Sequence, residues 1–460
     1  MVKLTDCRTI HCIGIGGIGL SAIAEILLQR GISVTGSDLK ESEMTDKLAA
    51  LGAKIFIGHR AQNVEGADLV IYSAAIADDN PEIIRAKELN IPLASRAEIL
   101  GLLMDEYPVG IAISGTHGKT TTTSMVSLIL ERAGKDPTVL IGGNLSEFNG
   151  NCKVGSGRYF VTEACEYRDS FLQLRPNVEV ILNIDSDHLD YFKDIDHIVK
   201  SFDRFSKNLK QGGTIVAYSA NPFVNSIIKD MDEIVTYGFG SDCTYSISNV
   251  EISDNGRPAF DVSRRGKKLG HLYLNLPGEH YILNATAAFA CASELGVEPD
   301  VIIKALEEYH GTDRRFDKIG YTPSGAMIID DYGHHPTEIR ATLKAASQMK
   351  HNRIWCIFQP HTYTRTLALL DDFSDAFDNA DVLILADIYA ARESDIYNIS
   401  SKNLLERIKE RHPGKEAYYM SSFEEIADKV SKEAKEGDVI ITQGAGDIYK
   451  VGKMLLDGRR

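Results

Sequence analysis

The chain is defined first by what it lacks. No apolar run approaches the roughly 20 residues that a bilayer-spanning helix needs, and 43% hydrophobic with 25% charged residues is the composition of a soluble globular protein. No membrane partner is expected. The opening stretch MVKLTDCRTIHCIGIGG has no signal-peptide run ending in a small-residue cleavage site and passes straight into a strand, so a cytoplasmic location is expected. Cysteine is sparse: Cys7, Cys12, Cys152, Cys165, Cys243, Cys291 and Cys356 form no CxxC pair, and an odd number suits no disulfide framework, so buried thiols are expected. Positive charge is in deficit, with a formal net charge of −15. General nucleic-acid binding draws on clustered Lys and Arg and is thereby excluded. Any anionic ligand must be gripped locally, by helix N-termini, Lys119 and a few arginines. Long low-complexity stretches and short-period repeats are missing too.

What is present begins with residues 112 to 124, AISGTHGKTTTTS. Val109 to Ile113 reads as a buried strand and Thr121 to Leu130 as the helix behind it. Between them Gly115 and Gly118 free the backbone to curl, while Lys119 and Thr120 open the helix where unpaired amides attract anions. That is a phosphate cradle. The pattern GxxxxGK[ST] wants glycine at position 113, where Ile113 stands, and Gly115 comes two residues later, so the loop is a variant.

At 460 residues the chain should hold about three domains. The first, residues 1–106, alternates strand-like HCIGIGG, a helix, ISVTGSD and DLVIYSAA, a βαβ pattern with a parallel sheet. GIGGIG places Gly14, Gly16 and Gly19 after a strand, with Asp38 at the end of the next. This suits either a pyrophosphate on a helix N-terminus with Asp38 on a ribose, or tight helix-on-strand packing. The second unit, residues 107–312, carries the phosphate loop, YFVTEA and VEVILNID, and a strand-rich hairpin insertion over residues 240 to 276 with turn signals DNGRP and RRGKK. The third, residues 313–460, runs through AMIIDDYG, a helix from Thr337 to Met349, RIWCIF, a helix around residues 366 to 379, DVLILAD and GDVIITQGAGD. The fold class is α/β: Rossmann-like domains at both ends and a central P-loop ATPase-type domain.

Glu163 and Glu166 end one strand of the central unit, and Asp185, Asp187 and His188 follow another, where an α/β sheet presents its ligand crevice. Carboxylates beside a phosphate loop suggest a metal. Magnesium prefers oxygen ligands and keeps several waters, so Thr120 plus one carboxylate makes an ordinary site; a histidine ligand is less usual for so hard an ion, and manganese would substitute well.

GTHGKTTT, TEACEYRDSF, NIDSDHLDYF, GEHYILNATAA, GTDRRF, DDYGHHPTE, QPHTYTRT and GAGD together resemble the Mur ligase family almost end to end. HCIGIGGIGLSAIAE, YSAAI and SRAEIL are similar to its branch that joins L-alanine to UDP-N-acetylmuramate in peptidoglycan precursor synthesis. The resemblance implies an N-terminal UDP-sugar domain, a central ATPase and a C-terminal domain that closes over ATP and amino acid. By it, Gly115, Thr116, His117, Gly118, Lys119, Thr120 and Thr121 hold the ATP phosphates, Asn284 reads the adenine, and Arg314 and Asp331 add nucleotide contacts. Thr120, Glu163 and His188 would bind magnesium or manganese. Gly14, Gly16, Gly17, Ile18, Gly19, Asp38, Ser73 and Arg96 would hold the UDP-sugar. Lys119, Glu163, His188, His361 and Arg365 would form the catalytic group, with Tyr332, His334 and His335 in the C-terminal wall. The family often shows DESD where this chain has Cys165, Glu166, Tyr167 and Arg168; Glu163 survives the change, and the chemistry needs no thiol at Cys165. Hinge residues are expected around Gly311 to Phe316.

The implied reaction is ATP-dependent: the lactyl carboxylate takes the γ-phosphoryl group, the alanine amine adds to the acyl phosphate, and ADP and phosphate are released. His361 or water would serve as base. Partners are the two substrates, and the protein is a monomer or homodimer. A ligase that attaches a recycled tripeptide to UDP-N-acetylmuramate is the alternative within the class, although DDYGHHPTE leans toward alanine. An NAD(P)-dependent dehydrogenase would explain GIGGIG and Asp38 but leaves GTHGKTTT and the acidic clusters without a role.

Overall fold

Near-continuous apolar strands such as Ile354–Phe358 (IWCIF) and Val382–Leu385 (VLIL), buried along their whole length, can exist only inside sheets covered on both faces, which is the setting of parallel α/β architecture. A computed structural model describes residues 3–73, 75–231 and 234–458 and shows three such sheets in chain order. The first has five parallel strands in the order Lys54–Ile57, Ser33–Asp38, Thr9–Ile13, Leu69–Tyr72, Leu93–Ser95. Its order reverses beside Thr9–Ile13, the strand that feeds GIGGIG.

The second sheet has ten strands, with Val109–Ser114 between Tyr159–Glu163 and Val178–Ile181. The stretch expected as a hairpin insertion instead prolongs this sheet. Tyr245–Ile252 pairs in parallel with Ile234–Gly238 through Tyr237 and Tyr245, then continues into antiparallel Pro258–Arg264 and Lys267–Tyr273. The side chains of Tyr237, Tyr245, Phe260 and Leu272 are buried in one cluster with the helix Glu279–Glu294, so the helix covers one face of the main sheet and of the meander together.

The third sheet runs Asp317–Tyr321, Met327–Asp331, Val439–Gln443, Ile354–Phe358, Val382–Leu385, Glu416–Tyr419, with only its first strand antiparallel. Two helices differ from expectation. The one behind the phosphate loop spans Lys119–Arg132 because left-handed Gly118 caps it directly. The one expected around 366 to 379 is two short helices, Tyr363–Ala368 and Leu370–Ser374, because Leu369 (φ −112°, ψ 24°) leaves the helical region.

The first and second sheets are joined by a close approach. Helix Arg96–Asp105 lies on the turn Tyr167–Gln173, with Leu100, Leu103, Met104, Phe171 and Leu174 in one buried cluster. A Cβ added to Gly101 would sit 2.2 Å from the Gln173 carbonyl oxygen. Helix propensity alone predicts that Gly101→Ala stabilises by up to ~1 kcal/mol. The contact predicts the opposite sign, a loss of about 1–3 kcal/mol as helix and turn are forced apart. Calorimetric melting of the variant distinguishes the two, and an unchanged or raised melting temperature refutes the contact.

Candidate functional site

The middle sheet brings three loops to one edge, because the strands ending at Ser114, Glu163 and Ile181 are neighbours. Gly115 (φ +135°) and Gly118 (φ +85°) occupy conformations that L side chains rarely adopt. A Cβ on Gly118 would lie 2.6 Å from Asn284 Oδ1, so Asn284, reaching over from the helix Glu279–Glu294, rests on the loop itself. Ile113 is fully buried in the strand, which continues to Ser114, and the first loop glycine therefore falls at 115.

Lys119 Nζ donates to the carbonyls of Gly115 and Thr116 and, at 2.9 Å, to Glu166 Oε2. Burial works against its charge, but attraction by Glu166 prevails and the pKa is raised. Glu163 accepts a hydrogen bond from Gly142 N. A Cβ on Gly142 would meet that carboxylate at 2.7 Å and one on Gly143 would meet Thr120 Cγ2 at 3.2 Å. The glycine pair in the strand Thr138–Leu145 thus makes room for Glu163 and Thr120 beside the loop. His188 (φ +53°) has Nε2 3.9 Å from Glu166 Oε1, and its ring centroid is 4.7 Å from that of Tyr167. The Cys165 thiol is pushed up by burial and by Glu166, which keeps it protonated.

The segment following Val178–Ile181 serves two sides at once. Asn183 Oδ1 accepts from His117 N at 2.8 Å and Asn183 Nδ2 donates to His117 O at 3.0 Å, while Asp185 N donates to Thr116 Oγ1 at 2.9 Å. From the C-terminal sheet's side, Thr337 Oγ1 donates to Asp185 Oδ2 at 2.8 Å, His335 Nε2 to Ser186 O at 2.9 Å, and Arg365 Nε to Asp187 Oδ1 at 2.9 Å. Burial opposes the Asp187 charge, but Arg365 holds its carboxyl well below the usual range.

Two cavities open along this seam. One of about 250 Å³ is lined by His117, Gly118, Thr121, Asn284, Arg315 and Asp331, among others. The other, about 580 Å³, is lined by His188, Tyr332, His361, Arg365, Arg168 and Glu393, among others. The expected His188, His361 and Arg365 are therefore brought together from two domains. Arg365 Nη1 donates to His361 Nδ1 at 3.1 Å, and burial, then Arg365, lowers the His361 pKa to about 4. Asp331, buried on the floor of the smaller cavity, accepts from Phe316 N and Gly333 N, and burial raises its pKa.

Arg314 departs from its expected place as a nucleotide contact. Its guanidinium turns into the C-terminal domain, to Asp330 at 3.0 Å and the carbonyls of Gly444 and Gly446, between the rings of Tyr332 and Tyr449. Arg314 is left-handed (φ +61°), and it is Arg315 that faces the cavity.

In the N-terminal domain Gly14, Gly16, Gly17, Ile18 and Gly19 form the turn into helix Ile18–Gln29. Ser73 Oγ lies 3.3 Å from where a Gly14 Cβ would be, and Arg96 Nη1 3.0 Å from that of Gly19. Asp38 has a task the sequence did not reveal: its carboxylate accepts from Gly16 N at 2.9 Å and Leu39 N at 2.8 Å, closing the glycine turn. Asn151 of the middle domain donates to Ile18 O at 2.7 Å.

His117, Asp185 and His335 offer ligand atoms within 4.8 Å of one another. Yet His335 Nε2 faces Ser186 O, its Nδ1 accepts from Thr337 N, and His117 faces carboxylates on both nitrogens. This is a hydrogen-bonded group with its ring nitrogens already engaged. Glu338, which binds His117 and the amides of His334 and His335, was missed by sequence reasoning. The available signal was HHPTE itself, with Pro at the first helical turn and Glu three residues after a capping residue.

Comparison with known proteins gives three matches to family models: "Mur ligase family, catalytic domain" over residues 9–108, "Mur ligase middle domain" over 113–292, and "Mur ligase, glutamate ligase domain" over 314–446. A UDP-N-acetylmuramate--L-alanine ligase from Alkaliphilus metalliredigens is 50% identical over 450 residues, covering 98% of this chain and 97% of that one. The crystal structure of the UDP-N-acetylmuramate-alanine ligase from Thermotoga maritima is similar with a TM-score of 0.83 at 32% identity, covering 98% of each chain. A murein peptide ligase from Psychrobacter arcticus is similar with a TM-score of 0.73 at 25% identity, again covering 98% of each.

The Lys119–Glu166 pair carries its own prediction. Glu166 is only 2% exposed, so Lys119→Met leaves a buried carboxylate without its cation, at a cost of about 3 kcal/mol. Urea unfolding is expected to show that loss, and adding Glu166→Gln to the same chain is expected to restore most of it. Equal stability of Lys119→Met and the parent protein would refute the pairing.

Proposed function

The chain belongs to the Mur ligase family, and from that premise we propose that it is an ATP-dependent ligase joining L-alanine to the lactyl carboxylate of UDP-N-acetylmuramate, a step of peptidoglycan precursor synthesis. The observation that carries this reading is 50% identity, over nearly the whole chain, to a ligase of that name. The murein peptide ligase matches at 25%, so alanine rather than a recycled peptide is the favoured amine. A dehydrogenase reading is set aside with the family. No helix among the described residues is long and apolar enough to cross a membrane.

A carboxylate is a poor acyl donor because oxide would have to leave, so the acid is first phosphorylated. The lactyl oxygen attacks the γ-phosphorus, ADP leaves, the amine adds to the acyl phosphate, and phosphate departs from the tetrahedral intermediate with the amide formed. Such chemistry asks the protein for positioning and charge neutralisation. In this reading the loop from Gly115 to Thr121 holds the phosphates, Lys119 supplies a fixed positive charge, and the smaller cavity with Asn284 and Arg315 takes the nucleoside end. The larger cavity, with His188, His361 and Arg365, takes the reacting ends. The N-terminal turn with Arg96 and Ser73 takes the UDP-sugar, where helix-terminal amides provide the attraction that a net charge of −15 withholds.

Thr120 and Glu163 fit a divalent ion, because the glycine pair leaves both free of intervening side chains and Glu163 is an oxygen donor suited to magnesium; His188 would join them by the family resemblance. When bound, the ion would neutralise charge on the phosphates. His361 is a donor in this scheme, because Arg365 occupies Nδ1 and the proton therefore stays on Nε2. With a pKa near 4 it does not collect the amine's proton at neutral pH, which leaves that role to water or the departing phosphate.

The test offers L-alanine, L-serine, glycine and the tripeptide in turn, with UDP-N-acetylmuramate and ATP, and measures phosphate release. L-alanine is expected to give the highest kcat/KM, and Lys119→Ala to lose at least about a thousandfold of it. Release that is independent of any amine, or wild-type turnover in the variant, would overturn the assignment.

A further inference from the structure

We propose that His117 is a doubly bridging imidazolium that clasps the C-terminal domain onto the phosphate loop, and so is a positioning residue for closure of the nucleotide cavity. Its Nε2 lies 3.2 Å from Asp185 Oδ2 in its own domain and its Nδ1 3.3 Å from Glu338 Oε1 across the seam. A neutral imidazole has one donor and one acceptor, and ionised carboxylates only accept, so both bonds form only if both nitrogens carry protons. The backbone that carries the ring is fixed, because Asn183 grips both the amide and the carbonyl of the same residue.

The groups around it favour that charge. His335, its ring centroid 4.8 Å away, gives Nε2–H to Ser186 O and accepts on Nδ1 from Thr337 N, so it is neutral. On the far side of Glu338 stand His334, 3.6 Å away, and Arg315, 4.0 Å away. Burial alone would lower the His117 pKa, but Asp185 and Glu338 outweigh it and bring it to about 9, whereas burial and His117 lower that of His335. The folded-state value is raised, so the clasp contributes fully below the ordinary value of about 6.5. It is lost as pH rises through about 9.

His117, Asp185, Thr337 and Glu338 all line the smaller cavity. Opening the clasp therefore opens the wall of the space assigned above to the nucleoside end of ATP, and in that respect the proposal rests on the proposed function. Loop and C-terminal domain would then close as one proton-dependent unit.

The experiment is a titration of the full chain with nitrogen-15-labelled histidine by NMR, alone and with a non-hydrolysable ATP analogue. One histidine is expected to keep both ring protons at pH 8, to disappear from the spectrum in His117→Gln, and to titrate lower by at least about one pH unit in Glu338→Gln. In parallel, KM for ATP is expected to rise about tenfold between pH 6.5 and 10, most of it above pH 9, with a smaller change in kcat. That slope is expected to flatten in either variant, with the double variant no worse than the poorer single one. A spectrum with no histidine doubly protonated above pH 7.5, or losses that add fully in the double variant, would overturn the clasp. Absence of alanine-dependent turnover would count against the proposed reaction alone, since the titration reads the clasp without it.

Discussion

The architecture of the cleft depends on six residues, Asn183 to His188, that leave one fully buried strand and are held from both sides. Toward the phosphate loop, Asn183 fixes the backbone of Thr116 and His117, and Asp185 N holds the Thr116 hydroxyl. Toward the C-terminal domain, Asp185, Ser186 and Asp187 receive Thr337, His335 and Arg365. Since Val178–Ile181 is hydrogen-bonded on both edges and buried throughout, the segment starts from a rigid base. Loop and third domain are therefore registered against the same short segment. Phosphoryl transfer gains most from such positioning, where misplacement by about 1 Å can cost a hundredfold in rate.

The same contacts explain how an acidic chain keeps cations ready for anions. Lys119 is paired with Glu166, Arg365 with Asp187, and His117 with Asp185 and Glu338. A buried cation without a partner would be neutralised or expelled; each carboxylate keeps its cation charged and in place. All three donors of Lys119 are occupied, by two loop carbonyls and Glu166. Contact with a phosphate therefore exchanges a bond to the protein for one to the phosphate and needs no new cation to be brought into the site.

Much of this was legible in the sequence because strand ends, glycine turns and carboxylates fall at fixed places in an α/β sheet. Glu163 ends the strand on one side of the phosphate loop and His188 lies in the segment that follows the strand on the other, because the hydrophobic runs before them are of strand length. Other features turn on single backbone angles that composition does not encode. In GTDRRF two arginines are adjacent, and only the left-handed turn at Arg314 decides that it is Arg315 that meets the cavity. Asp38 was read as facing a ligand or as part of tight helix-on-strand packing, and its hydrogen bond from Gly16 N adds a bracing role for the glycine turn that the sequence did not show. Glu338 was invisible as a bridging residue because its partner, His117, stands 221 positions away.

The two domain junctions both have apolar parts but differ at the cleft, and the difference suits what each must do. Between the first and second domains, Leu100, Leu103, Met104, Phe171 and Leu174 share one buried cluster, and helix and turn touch backbone to backbone at Gly101. Apolar burial of that sort is worth about 25 cal/mol per Å² and is lost all at once if the faces part. At the cleft the second and third domains meet through charged and polar pairs along two cavities, while behind it apolar side chains of both, among them Tyr281, Ile282, Ile339 and Leu343, belong to one buried cluster. Such pairs are individually modest, directional and replaceable by water or ligand. A junction of the first kind holds the N-terminal glycine turn at a fixed distance from the phosphate loop. One of the second kind can open to exchange nucleotide and close again in the same register, shielding an acyl phosphate from water only while the substrates are in place.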